Sequence, residues 1–454
     1  VITEPGRAMS IRAQKRFAGF RNSLRSLNNR NYRLYFIGQG ISFIGTWIQT
    51  IATGWLIYRI TGSEFMLGIV AFSGQVPAFL ASPLAGVLAD RLDRHRILVV
   101  MQFIAMAQAS VLAFLTVTET VQVWHIALLS VCLGLVNAFD MPTRHAFVTE
   151  IIDYKADLVN AIALNSVLFN ASRLLGPAVA GILVAAAGEG ACFLINAASY
   201  GVALISLLLM SPRPLRAEEE RKNILLDMKD GASYALRSEP IRFLLGMTAL
   251  MSLVAMSFPV LMPVFAAKVL QGDSHTYGFL VAASGLGALF GTFFLTTRRD
   301  VLGLEKVICV ALLIFGSALT LFSFSRTIWL SLLILVFIGF GMVLSMASCN
   351  TVLQTIVDDD KRGRVMSFYI MAFAGAAPLG SLIAGTASSL IGAPLTVGIS
   401  GLLSLGGAAF FIWKLPGLRS LIRPIYRKMG ILPEVAAAIQ ATDDFRKPPE
   451  YSGN

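Results

Sequence analysis

Apolar residues gather into long unbroken runs, and the polar stretches between them are short and carry nearly all of the charge. Twelve runs are long enough to matter: 33–59, 66–89, 97–118, 122–144, 158–187, 191–210, 241–268, 276–297, 305–324, 328–352, 365–390 and 394–413. Crossing the hydrocarbon of a bilayer takes about 20 apolar residues. Lipid offers no partner to a free backbone N–H or C=O, and these runs exceed the length of barrel strands, so each predicts a helix. The pattern therefore predicts an all-α membrane protein of twelve transmembrane helices.

Composition agrees: of 454 residues, 56% are hydrophobic and 14% charged, with a mean hydropathy of +0.71. A net charge of +11 raises nucleic acid as a partner, and the placement of the basic residues removes it. With the N-terminus set on the cytoplasmic side, 33 of the 37 Lys and Arg fall in cytoplasmic segments. Arg59, Lys268 and Arg326 remain outside, and Arg173 lies within a span. This positive-inside bias predicts a multi-pass protein with cytoplasmic termini and lipid as its surroundings, and a bacterial cytoplasmic (inner) membrane is the expected location. No short apolar region with a cleavage site precedes the first span, so no cleaved signal peptide is expected, and Met9 is a candidate start. Cys132, Cys192, Cys309 and Cys349 all fall in spans without metal-ligand spacing and read as small packing residues.

A polar break at 211–240 divides the spans six and six. The expected organisation is a basic N-terminal segment (1–32), a six-helix bundle (33–210), a cytoplasmic linker (211–240), a second bundle (241–413) and a C-terminal tail (414–454). Within the linker, "NILLDMKDGASYAL" has the spacing of a helix lying on the membrane surface. The halves also match each other. Residues 134–153 lie over 339–358, pairing Gly134 with Gly339 and Met141 with Met346. Further on, Gly176, Gly181 and Gly188 fall on Gly380, Gly385 and Gly392, and residues 61–68 lie over 271–278. Together these matches point to a duplicated six-helix unit.

The stretch "GVLADRLDRHR" places Asp90, Arg91, Asp93, Arg94 and Arg96 together one helical turn after Gly86. Topology alone requires only Lys and Arg there, so the acids ask for another role. Arg173 stands some fifteen residues into the fifth span, about 22 Å from its cytoplasmic end, too deep to snorkel. Its candidate partner is Asp140, whose alternative is Arg144 four residues on. Neither Asp140 nor Arg173 has a charged counterpart in the second half, which favours a site role for both. Arg173 suits either attraction of an anionic substrate group or control of a carboxylate's protonation, and Asp140 is the candidate proton carrier. Asn137, Asn165, Asn170 and Gln39 add uncharged hydrogen-bonding capacity to the same spans. Gly176, Pro177 and Gly181 predict a bent, closely packed fifth span, and Gly287 and Gly291 have helix-packing spacing.

"GVLADRLDRHR" resembles the signature of the major facilitator superfamily, in the loop after the second span where that family carries it. "MPTRHAFVTEIID" with "NAIALNSVLFNASRLLGPAVAG" resembles the branch that holds macrolide effluxers and the enterobactin exporter. "LLGPAVAG" resembles the Gly-Pro core of the antiporter signature, although Ser172 and Ala163 stand where drug exporters place glycines. The resemblance implies two pseudo-symmetric six-helix bundles and alternating access. It also implies that Asp90 caps the start of the eleventh span, near Gly363 to Ser367, and that Arg94 seeks Glu150 or Asp153. These contacts would form a latch holding the outward-open state. The second half keeps only "TTRRD" at the equivalent place.

There is no G-x-x-x-x-G-K-[ST], so no built-in ATP motor of that kind is expected, and no nucleophile or metal constellation that would make this an enzyme. No cofactor is expected. The resemblance implies a secondary transporter that exports a small amphipathic molecule, drug-like or a siderophore, in exchange for protons. The alternatives are a lipid or lysophospholipid flippase of the same fold and, more remotely, a non-transporting membrane sensor or scaffold.

Overall fold

The computed structural model describes residues 25–152, 154–211, 233–298 and 301–429. Most of the N-terminal segment, most of the linker with its surface-helix sequence, and the end of the C-terminal tail lie outside these residues, as does Asp153. The helices in chain order are α1 (Arg30–Thr61), α2 (Glu64–Arg91), α3 (Arg94–Val117), α4 (Val123–Ile151), α5 (Lys155–Leu208), α6 (Glu239–Ala255), α7 (Ser257–Val264), α8 (Ser274–Thr297), α9 (Leu304–Phe324), α10 (Ile328–Ile356), α11 (Asp359–Ile391) and α12 (Ala393–Lys428).

Ten helical stretches among the described residues are long and apolar enough to cross a membrane. One of them is α5, whose 54 residues serve for two crossings because the chain breaks at Gly188. Another joins α6, α7 and the π-turn Phe265–Val269 into one crossing. Pro259, four residues after Ala255, supplies no N–H for that residue's carbonyl, and the helix divides there. The twelfth crossing is α1, less apolar because Gln39, Gln49 and its threonines dilute it, yet 32 residues long. The last helix runs past 413 through Pro416 and Pro424 to Lys428.

Helix starts follow from the short polar residues between spans. Asn29, Ser63, Asp93 and Asp273 each accept a hydrogen bond from the third residue beyond, at 3.1 to 3.3 Å. Asp93 is thus occupied in starting α3.

The duplicated pattern is visible in the backbone. Gly188 has φ 78° and ψ 173°, and its repeat partner Gly392 has φ 84° and ψ 153°, a region closed to residues with a Cβ. Each uncouples a span from the next. The repeat also accounts for how the halves meet. On one side α5 touches α8, where a methyl group on Gly278 would stand 2.8 Å from the Gly181 Cα. On the other α11 touches α2, where a methyl on Gly385 would stand 2.7 Å from the Gly68 Cα. Gly181 and Gly385 are repeat partners, as are Gly68 and Gly278, so the two seams are copies with the halves exchanged. Close backbone approach at small residues is the main route to helix contact where lipid removes the hydrophobic drive. Within each half, Gly134 packs on Gly74 and Gly287 on Val336, while Gly291 meets Phe340.

Replacing Gly278 by Val should drive α5 and α8 apart, at a cost of about 1–3 kcal/mol for overpacking. Thermal melting in detergent reads the loss against Gly246→Val, where a side chain would meet nothing within 4 Å. Equal melting shifts for the two variants would contradict the seam.

Candidate functional site

The basic ends of the helices lie on one face of the molecule, at the start of α1 and the end of α12. A set of hydrogen bonds, ring contacts, backbone approaches and one ion pair joins the halves away from that face. These contacts run from mid-span to the opposite face. Lys268 Nζ reaches Glu64 Oε1 at 3.0 Å and lies 5.9 Å from the Tyr58 ring. Trp55 stacks on Tyr277 at 6.2 Å. Ser274 Oγ donates to the Gly181 carbonyl at 3.3 Å, and Gln75 Nε2 to Ser381 Oγ at 3.1 Å. Further in, Gly285 meets the Arg173 backbone and Gly375 meets Phe79, near mid-span. Toward the basic face Met141 is 61% and Val159 75% exposed. The halves are therefore closed at one face and parted at the other.

The inner face of α5 can be identified from its register. Leu175, Val179 and Ile182 are exposed at i, i+4 and i+7, the stripe a lipid-facing helix presents. Arg173 is nine residues from Ile182, about half a turn around the helix from that stripe. Asn170, Phe169, Ser166 and Ile162 share its side, and the last three are exposed although turned away from the lipid stripe. They line the space between the halves. Arg173 itself is half-buried, and among the described residues no carboxylate pairs with it.

Asp140 pairs with Arg144, one turn along α4, instead of with Arg173. It is 7% exposed and also accepts from Gln102 Nε2 at 3.4 Å. The Arg144 guanidinium lies 4.8 Å from the Phe43 ring, and Phe43 meets Phe169 edge-on at 5.7 Å. The pair is incompletely satisfied, since Arg144 Nε and Nη1 and the Oε1 atoms of Gln39 and Gln102 are buried without a hydrogen-bond partner. Asn165 accepts from Tyr32 Oη at 3.5 Å, tying α5 to α1, and Asn170 Nδ2 donates to the Ser166 carbonyl at 2.8 Å. Asn137 is exposed on α4. The amides of Gln49, Gln108 and Asn196 form a buried chain across α1, α3 and the second arm of α5.

In the signature loop, Arg94 Nη1 meets Glu150 Oε1 at 2.5 Å and its Nε donates to the Ala89 carbonyl at 3.0 Å. That contact fastens the α2–α3 turn to the end of α4 within one half. Asp93 bonds Arg96, and Arg91 and Arg96 are exposed. The side chain of Asp90 lies outside the described residues. A side chain added at Gly86 would meet nothing within 4 Å, so Gly86 is not a close-packing position in this conformation, because the halves are parted beside it. Gly176 packs on Trp47, and Pro177 stays within α5.

Sequence reasoning missed the closing contacts at the opposite face. Glu64 and Lys268 are 204 residues apart and register only as a helix-start acid and a loop cation. Glu189, 7% exposed, holds Arg59 at 2.7 Å, which likewise no local pattern announces.

Two exchanged helix seams around a space open to one face define a multi-pass transporter of the major facilitator superfamily. A family model described as transmembrane secretion effector matches residues 21–440, and the chain belongs to that family. The staphyloferrin A transporter of Staphylococcus aureus is 25% identical over 374 residues, covering 82% of this chain and 93% of that one. The multidrug efflux pump Tap of Mycolicibacterium fortuitum is 24% identical, covering 83% and 93%. The macrolide efflux protein A of Streptococcus pyogenes is 25% identical, covering 59% and 68%. Among solved structures, a bacterial homolog to the human lysosomal transporter Spinster, inward-facing and unoccupied, superposes with a TM-score of 0.66 at 14% identity, covering 87% and 97%. The nucleoside transporter NupG gives 0.64 at 16%, covering 85% and 99%. These two likenesses concern the fold.

Glu64→Gln should weaken closure at the face opposite the basic one. A cysteine at Ala282, buried on α8 beside the seam, should then react faster with an impermeant maleimide applied from that side. Unchanged labelling would show that the Glu64–Lys268 pair does not hold the halves.

Proposed function

We propose that the protein exports a small amphipathic molecule, drug-like or a siderophore, across the bacterial inner membrane in exchange for protons. The observation that carries the reading is that the halves touch in the outer part of the molecule, at Glu64–Lys268, Trp55–Tyr277 and Ser274–Gly181, while Met141, Val159 and Gly86 toward the basic face stand open. The face left open is the basic one, which the positive-inside bias makes cytoplasmic, together with both termini. A transporter resting in that state is ready to load from the cytoplasm. Its relatives include a siderophore transporter and two efflux proteins, which supports the same substrate class.

Reaching the outward-open state requires Glu64–Lys268 and Trp55–Tyr277 to separate while the cytoplasmic ends close. In this reading Gly86, Asp90, Arg91, Asp93, Arg94 and Arg96, with Glu150 and Asp153, form the cytoplasmic latch. The Arg94–Glu150 pair supports it from within one half, and the open space beside Gly86 is where a helix of the other half arrives. Helix-end contacts of this kind contribute roughly 0.3–1 kcal/mol each, enough together to bias a two-state equilibrium without locking it.

Asp140 serves as the proton carrier. Buried ion pairs gain little net stability, and neutralising one member releases the other. Protonation of Asp140 frees Arg144, whose Nε and Nη1 already lack acceptors, and Gln102, the other partner of Asp140, keeps a spare acceptor. Asn137, Asn165 and Asn170 contribute polar lining to the route. The coupling needs no ATP and draws only on the proton gradient.

Proteoliposomes with an imposed pH gradient, loaded with a panel that includes a macrolide and staphyloferrin A, test the reading. Wild type should concentrate at least one compound against its gradient. Asp140→Asn should lose that accumulation and keep downhill exchange. Accumulation that persists in Asp140→Asn removes it as the carrier, and flux that ignores the pH gradient removes proton coupling.

A further inference from the structure

We propose that Arg173 anchors an anionic group of the transported molecule, so that this site selects amphipathic organic carboxylates. The inference rests on the exporter reading and narrows it to a substrate class. Two cations lie deep within spans among the described residues, Arg144 and Arg173, and they differ in one respect. Arg144 is neutralised by Asp140, whereas no carboxylate answers Arg173. An ionised side chain at this depth is retained where it faces a partner or a pathway. Its place on α5, about half a turn from the lipid-facing stripe, excludes lipid as the answering charge and leaves the space between the halves.

The surroundings select the rest of the ligand. Phe169 is one turn before Arg173 on the same face, and Phe43 closes edge-on against it at 5.7 Å, an apolar wall beside the cation. Asn170 has spent one N–H on the Ser166 carbonyl at 2.8 Å and keeps its amide oxygen beside the site. A planar guanidinium holds a carboxylate through two parallel hydrogen bonds, which a point charge cannot copy.

The position also gives the anion a hold on the moving parts. Pro177 supplies no N–H to the Arg173 carbonyl, and a methyl on Gly285 of the other half would stand 2.9 Å from that carbonyl oxygen. The anchor therefore leaves α5 where the helix is loosest and where it touches α8. The copied seam differs at the matching places: Gln75 and Ser381, the repeat partners of Gly285 and Pro177, hydrogen-bond at 3.1 Å, and no charge stands beside them. The charge belongs to one seam, as expected of a ligand contact and not of a structural element that the fold needs twice.

Three probes of one shape test this: 2-naphthoate, the neutral 2-naphthamide and the cationic 2-naphthylmethylammonium. In equilibrium dialysis of the full-length protein in nanodiscs, wild type should bind naphthoate about tenfold or more tighter than either relative. Arg173→Gln should erase the preference, Arg173→Lys should retain part of it, and gel-filtration profiles should stay unchanged. Absent or unselective binding by wild type, or an intact preference in Arg173→Gln, overturns the anion site. Sealed vesicles separate the two readings. Flux of the amide or the ammonium that is indifferent to Arg173 leaves the exporter standing without the anion site. Arg173-dependent naphthoate binding with no flux of any probe leaves the anion site and removes the exporter.

Discussion

Two lines of bare backbone contact carry the rest of the structure. Along α5 and α8, and again along α2 and α11, glycines let main chains of opposite halves touch, because in lipid there is no hydrophobic force to bring larger side chains together. Such seams are shallow and carry few directional bonds. Beyond mid-span they are reinforced by one amide–hydroxyl bond, one hydroxyl–carbonyl bond, a stacked ring pair and one ion pair. A junction of that kind holds one state and can still be rolled into another, which a dense interlocked core could not.

Charge is distributed around these seams economically. Ionic pairs within one half, such as Arg419 with Glu305 and Arg59 with Glu189, travel with a rigid body and register no relative motion. Lys268 and Glu64 are answered across the halves, and that contact must break when the molecule turns over. Arg173 is answered by no carboxylate among the described residues. In the proposed transport cycle these three arrangements separate scaffold, gate and site by the partner each charge has.

Much of the fold was readable from order along the chain. Apolar run length predicts the crossings, since the bilayer leaves a backbone no alternative to the helix. The duplicated glycines predict the two-fold relation, and Gly188 and Gly392 adopt the same left-handed backbone at the same place in each half. The site was readable in part. Arg173 stood out because a charge inside an apolar run is conspicuous by itself. The pairing of Asp140 did not, because it had two basic candidates and periodicity offered Arg144 at i+4 without excluding Arg173. Gly86 read as a packing residue and stands beside open space, since its neighbour depends on which way the halves are tilted.

The sequence by itself determined what each segment must be, because the bilayer judges every segment separately: apolar runs become helices, basic stretches mark one face, and glycines mark where helices approach. Only the tertiary structure decided which distant residues meet. Glu64 meets Lys268 and Gly68 meets Gly385 across hundreds of positions, because the packing of two tilted bundles joins them and no local pattern records it. The same packing closes one face and opens the other, and so sets a lone arginine of an apolar helix on the side of α5 turned away from lipid.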